Sequence, residues 1–180
     1  MIKKTNYYDI IFIIKGDNMR EATGTTWIFG LVLSFTLIFS GFLVLAISYS
    51  KAYKLKNEMT SIIEKYEGIT YNPSNKLDSS INIINSYLTN SNYTAKGHCI
   101  KSESPNKTYG AISLDGSLSI VNDSKEYYYC ITEKKNKTNN TTIYEITLFY
   151  DFNLPVFGHL RQFSITGQTN EIYNAYTKLK

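Results

Sequence analysis

The sequence predicts an α+β fold: a long N-terminal helix that is transmembrane and then extends, followed by a short helix and an antiparallel β-sheet of about 4–5 strands. Three observations predict it. Residues 27–49 form an apolar run with no charged residue. Residues 51–66 continue with neither Pro nor Gly. Beyond Asn90 the texture turns to short aromatic and β-branched segments separated by turn residues. The 180 residues accordingly divide into an N-terminal tail 1–26, a transmembrane helix 27–49, a helix extension 50–68 and an α+β domain 69–180.

The apolar run opens on Trp27 and closes on Tyr49. At 1.5 Å per residue it reaches roughly 34 Å, enough to cross a hydrocarbon core. Its two end aromatics are of the type that settles at membrane interfaces. A cleaved signal peptide has a shorter apolar region of about 7–15 residues, so length favours an anchor. Small residues Gly30, Ser34, Gly41 and Ser48 share one face of this helix, as their spacing shows. Leu55 and Ile62 prolong the sevenfold row, and Leu45, Ala52, Met59 and Tyr66 run beside it. Within lipid, small residues allow helices to approach closely. Beyond it, the apolar stripe must pack on the domain or on a partner helix. Gly68 offers the stop.

Residues 1–18 are unlike the rest. Tyr7 to Ile14 is too short to span a membrane, and Lys15-Gly16-Asp17-Asn18 stands just before Met19. In AT-rich codon usage Lys-Gly-Asp reads as AAA GGA GAT, a purine-rich ribosome-binding sequence. Met19 is then the true start and residues 1–18 are untranslated leader. A genuine cytoplasmic tail is the other reading, and the codons at Lys15 to Asp17 decide between them.

In the domain, Tyr71-Asn-Pro73 signals a turn, and Leu77, Ile81, Ile84 and Leu88 predict a short helix over 77–89. Strands are expected at Tyr93–Lys101, Tyr109–Leu114, Leu118–Val121, Tyr127–Glu133, Thr142–Asn153 and Phe163–Tyr173. Asp115-Gly116 makes a turn, Lys134–Asn140 a polar tip and Leu154-Pro155-Val156-Phe157-Gly158 a break. Cys99 and Cys130, the only cysteines, are most simply a disulfide, contributing roughly 3 kcal/mol by loop entropy. Two buried free thiols are the alternative.

Net charge is +4 and thinly spread, clustering only at Lys134, Lys135 and Lys137, so no nucleic-acid partner is expected. The abundance of Asn, Ser, Thr, Tyr, Ile and Lys has the look of AT-rich coding sequence. The six Asn-x-Ser/Thr sequons, at Asn92, Asn106, Asn122, Asn136, Asn139 and Asn140, follow from that composition. No catalytic residue, metal site, cofactor or small-molecule substrate is indicated. His98 and His159 sit in no metal motif, and no phosphate-binding Gly loop or Gly-x-Ser-x-Gly elbow occurs. Beside Cys99, His98 adds only one more ligand. Glu64, Glu67 and Glu103 read as solvated charges. Tyr127-Tyr128-Tyr129 could stack sugars or bases, but such a run is more often the two faces of one strand.

The order of parts resembles the TadE-like minor pilins of tight-adherence (Flp-type) pilus systems. The likeness rests on Trp27–Tyr49 running into Ala52-Tyr-Lys-Leu-Lys-Asn-Glu-Met59. It rests also on Tyr144-Glu-Ile-Thr-Leu-Phe-Tyr-Asp-Phe followed by Leu154-Pro155-Val156, Gly158 and a closing strand through Phe163–Thr169. Thr25-Thr26-Trp27 stands where members often carry a Glu. Gly16 and Glu21 have the spacing of a prepilin-peptidase site, but no hydrophobic run joins them.

The resemblance implies a non-enzymatic, pilin-like component of a bacterial surface pilus or secretion apparatus. Its partners would be the membrane and other pilus subunits met through the N-terminal helix. A membrane-tethered binding module, sensor or adhesin, using a Tyr-rich sheet is the alternative, and an anchored enzyme a third. Arg20 before the helix and Lys51, Lys54 and Lys56 after it point the domain inward if Met19 is the start. The cysteine pair and the resemblance point it outward, with the N-terminus cytoplasmic.

Overall fold

The computed structural model describes residues 7–74, 79–136, 138–154, 158–173 and 175–179. Tail residues 1–6 and the break at 155–157 lie outside the described residues. The chain divides into two compact units, residues 1–43 and 44–180.

Helix α1 covers Tyr7–Lys65. It is longer than expected at its N-terminal side, where the sequence predicts only a tail up to residue 26. Across the first unit its described residues, among them Trp27, Phe35, Ile38 and Phe42, are exposed, with Gly41 buried. This is the one helix among the described residues long and apolar enough to cross a membrane. In the second unit α1 becomes one-sided: Ala52, Leu55, Met59, Ile62 and Ile63 are buried, while Tyr53, Asn57, Glu58 and Ser61 are exposed. The rows read from the sequence therefore pack on the domain rather than waiting for a partner helix. Met59 and Ile63 are fully buried, each contributing about 1.5–3 kcal/mol relative to exposure. The helix stops at Lys65, with Glu67 in the left-handed region (φ 52°) and Gly68 at φ 146°, a value that favours glycine.

Strand β1 (Gly68–Thr70) follows. Then α2 (Ser80–Asn90) buries Ile81, Ile84 and Leu88, the apolar face anticipated from their spacing. A reciprocal pair holds its start against β1: Thr70 N–H donates to Ser80 Oγ at 2.9 Å, and Ser80 N–H donates to Thr70 Oγ1 at 2.9 Å.

The sheet proper has six strands: β2 (Lys107–Gly110), β3 (Ser119–Ile120), β4 (Tyr129–Asn136), β5 (Thr141–Leu154), β6 (Gly158–Gln168) and β7 (Ile172–Tyr173). Its order is β3-β2-β4-β5-β6, all pairs antiparallel, and β7 takes over from β6 along β5 at Thr141–Thr142. The expected last strand is thus two strands on one edge. The polar tip is shorter than expected, because β4 runs on to Asn136 against Thr141.

Tyr93–Lys101 is not a strand; only the bridge Gly97–Tyr127 remains of it. Its side chains are used singly instead. The Tyr93 hydroxyl donates to the Phe149 carbonyl at 2.6 Å and accepts the Phe149 N–H at 3.0 Å. A last strand, β8 (Tyr176–Lys178), pairs with β1 in parallel. This parallel pair departs from the antiparallel expectation.

Register defines two sheet faces. Tyr109, Ile131, Ile146 and Tyr129, Leu148, Ile165 are aligned cross-strand rows. All are buried, in one cluster with the α1 and α2 side chains. The opposite face carries Thr108, Cys130, Thr132, Thr147 and Thr166, and there Cys130 is bonded to Cys99. The disulfide fastens the 91–103 loop over the face that α1 leaves uncovered.

Candidate functional site

Three places in the second unit gather polar or aromatic chemistry. The first is where α1 leaves the apolar run. Tyr49 meets Tyr53 at 6.3 Å between centroids and Tyr150 edge-on at 6.2 Å, and Tyr150 stacks on Phe163 at 5.5 Å. The Lys56 ammonium lies 4.4 Å from the Tyr53 ring centre, within cation–π range. The helix contributes Tyr49, Tyr53 and Lys56 at spacings of four and three, which put them on one side. The sheet contributes Tyr150 and Phe163 as a directly paired couple on neighbouring strands.

The second is a cleft of about 290 Å³ beside this row. Ser48 and Lys51 of α1, Asn92 and Thr94 of the loop after α2, and Tyr150 and Asp151 of β5 line it. It offers one ammonium, one carboxylate and several hydroxyl and amide groups. No histidine or cysteine is in its lining.

The third is a buried carboxylate. Glu133 is 2% exposed. Its Oε1 accepts from Thr177 Oγ1 at 2.9 Å and pairs with Lys135 Nζ at 3.2 Å, and its Oε2 accepts from the Tyr109 hydroxyl at 3.4 Å. The Tyr144 hydroxyl lies 3.3 Å from Thr177 Oγ1. Desolvation, with Glu133 nearby, pushes the Tyr109 and Tyr144 phenols up to about 12. They are therefore hydrogen-bonding neutral groups at ordinary pH and no general bases. Through Thr177 the cluster fixes β8, and so β1, to the sheet.

The residues singled out from the sequence fall as follows. Cys99 and Cys130 are brought together, with Cα atoms 5.8 Å apart. Gly30, Ser34, Gly41 and Ser48 all lie on α1, and a Cβ on Gly30 would meet nothing within 4 Å. Trp27 and Tyr49 are exposed. Tyr127 and Tyr129 are buried, and Tyr128 is half-buried beneath the Lys96 ammonium at 4.6 Å. His98 is exposed, with Nδ1 3.3 Å from the Lys125 carbonyl; the His159 side chain lies outside the described ones. Among the described residues no three of His, Cys, Asp and Glu stand together as a metal site would require.

Sequence reasoning missed Glu133 and the Tyr150–Phe163 couple. Nothing local marks Glu133. The couple had one signal, aromatics close on either side of the Leu154–Gly158 break.

Compared with known protein families, curated proteins and solved structures, the chain matches none.

Proposed function

We propose that this chain is a membrane-anchored, non-enzymatic, pilin-like subunit, of the TadE-like kind, in a bacterial surface pilus or secretion apparatus. One observation carries the reading. α1 continues without interruption from an apolar segment with exposed side chains to a segment buried in the domain core. One helix then supplies both the apolar segment and part of the domain core.

The helix would dock beside other helices through Gly30, Ser34, Gly41 and Ser48. The open space at Gly30 supports that face. The domain would lie outside the membrane with the N-terminus cytoplasmic. The Cys99–Cys130 bond supports this orientation, since disulfides persist in oxidising compartments.

The alternative, a binding module that presents a Tyr-rich sheet, is the weaker reading because Tyr109, Tyr127, Tyr129 and Tyr144 are spent in the core. The test is Gly41→Ile in the full chain, followed by cross-linking and co-purification from membranes. Loss of self-association or of partner subunits, with the Cys99–Cys130 bond retained, is expected. Unchanged assembly counts against the proposal.

A further inference from the structure

The cleft between α1, β5 and the loop after α2 has walls of two kinds. On the helix, Val44, Ala52 and Leu55 line it with apolar groups at spacings that keep them on one side. From 44 to 55 that wall is roughly 16 Å long. Val44 is half-buried, and Ala52 and Leu55 are buried. Exposed Lys51 edges the same wall, while Asn92 and Thr94, both exposed, and half-buried Asp151 supply the polar side.

The loop wall is held in place from two points. The Tyr93 hydroxyl is bonded to the Phe149 carbonyl and N–H, and the Tyr128 carbonyl lies 3.0 Å from it. The Cys99–Cys130 bond ties the continuation of the loop to β4. The cleft is thus preformed, and a ligand pays little to order its walls.

Its two charges are not spent on each other or on neighbours. Among the described residues the ion pairs are Lys134–Glu145 and Lys135–Glu133. Burial raises the Tyr93 phenol and the Asp151 charge adds to that rise, which places this carboxylate near the loop wall. The Tyr93 hydroxyl is already committed to backbone groups, so it offers Asp151 no proton. A ligand of one sign would satisfy Lys51 or Asp151 and leave the other unmatched. A zwitterion satisfies both.

We propose that this cleft binds a phosphoethanolamine group, with the phosphate at Lys51, Asn92 and Thr94 and the ammonium at Asp151. A phosphate has several acceptor oxygens, and an ammonium, an amide and a hydroxyl are the donors that suit it. The volume, about 290 Å³, is at the small end for ligand clefts and fits a headgroup rather than a whole lipid. The group occurs both as a phospholipid headgroup and as a soluble phosphomonoester. The apolar wall favours the lipid, because Val44 belongs to the apolar run. That source rests on reading α1 as a membrane anchor; the charge match does not.

The full chain in maltoside micelles is titrated calorimetrically, against blank micelles, with O-phosphoethanolamine, dihexanoylphosphatidylethanolamine and dihexanoylphosphatidylglycerol. Saturable binding of the phosphatidylethanolamine is expected, about tenfold tighter than that of the phosphatidylglycerol, which lacks the ammonium. Asp151→Asn should abolish the preference, and Lys51→Met should weaken binding about tenfold. Thr94→Leu, at an exposed loop position, obstructs the cleft and is a further variant should either of these disturb folding, which retention of the Cys99–Cys130 bond checks.

Tighter binding of the lipid than of O-phosphoethanolamine upholds the site with a headgroup as ligand. Equal binding of the two upholds it with the soluble ester. Equal binding of the two lipids, binding that none of the variants weakens, or no saturable binding of any probe overturns the proposal. Trp27, the sole tryptophan, reads the anchor separately through quenching by brominated phosphatidylcholine in nanodiscs. Quenching without selective binding keeps the anchor and removes the site. Selective binding without quenching keeps the site and removes the anchor.

Discussion

The Tyr129 hydroxyl donates a 2.8 Å hydrogen bond to Oδ1 of Asn85, joining the centre of the sheet to the buried face of α2. The same amide donates from Nδ2 to the Gly116 carbonyl at 3.0 Å. Both residues are buried, so each depends on the other for satisfaction. Tyr129→Phe leaves a buried acceptor unpaired and is expected to cost about 1–3 kcal/mol. Urea unfolding of the detergent-solubilised chain, followed by circular dichroism, measures it. Adding Asn85→Leu should cost less than the sum of the single changes, because the two side chains share one bond.

Two glycines are sites of close approach. A Cβ on Gly97 would stand 2.4 Å from the Phe149 ring, and one on Gly110 would stand 2.3 Å from the Tyr127 ring. Both rings are buried and have little room to retreat. Gly97→Ala and Gly110→Ala are each expected to destabilise the domain by about 1–3 kcal/mol. Gly116→Ala, where a Cβ meets nothing within 4 Å, should be near neutral. Thermal melts of the three variants side by side make the comparison.

Removing the disulfide by Cys99→Ser with Cys130→Ser frees a closure of 31 residues. The expected loss is about 3–4 kcal/mol. The 91–103 loop, no longer tied to β4, should become the first site of limited proteolysis. Cleavage elsewhere first, or an unchanged melting midpoint, would contradict this.

Alkaline pH should unfold the domain through its buried phenols. Tyr109 and Tyr144 are pushed up to about 12, by burial first and by Glu133 in addition. Burial also raises Tyr93 and Tyr129. In the unfolded chain these groups ionise near their ordinary value of about 10. Below that pH both states hold the proton and stability is unaffected. Above it the unfolded state releases protons that the folded state keeps, so stability falls as pH rises from about 10 toward 12. Absorbance at 295 nm should show a late phenolate step that coincides with loss of circular dichroism. Tyr109→Phe with Tyr144→Phe should flatten that decline.

Much of the helix architecture was legible. The rows Ala52, Met59 and Leu55, Ile62 are written at helical spacing, and their burial follows from it. The alternation on β5 was also legible, with Tyr144, Ile146 and Leu148 turned to the core. The parallel pairing of Gly68–Thr70 with Tyr176–Lys178 was not. Each piece is three residues long, and its partner lies more than a hundred residues away in sequence, so no local pattern exists to read. Tyr93–Lys101 misled because its β-like composition serves individual anchors, the Tyr93 hydroxyl, Gly97 under the Phe149 ring and the Cys99 bond, rather than a ladder. The aromatic row at the end of the apolar run was half legible. Tyr49 is marked by its position at the end of the apolar run, but only the three-dimensional register shows that Tyr150 and Phe163 come to meet it.

The parallel course of α1 and β6 also sets how the domain bears load. Lys56 lies against Gly167, and Glu64 Oε1 accepts the Asn170 N–H, so helix and strand advance the same way. A pull along this part of α1 arrives as shear, and Ala52, Leu55, Met59 and Ile63 are all held in the domain core against it. No single contact is peeled first, so drawing residues 44–65 out of the domain requires several buried side chains to be released together.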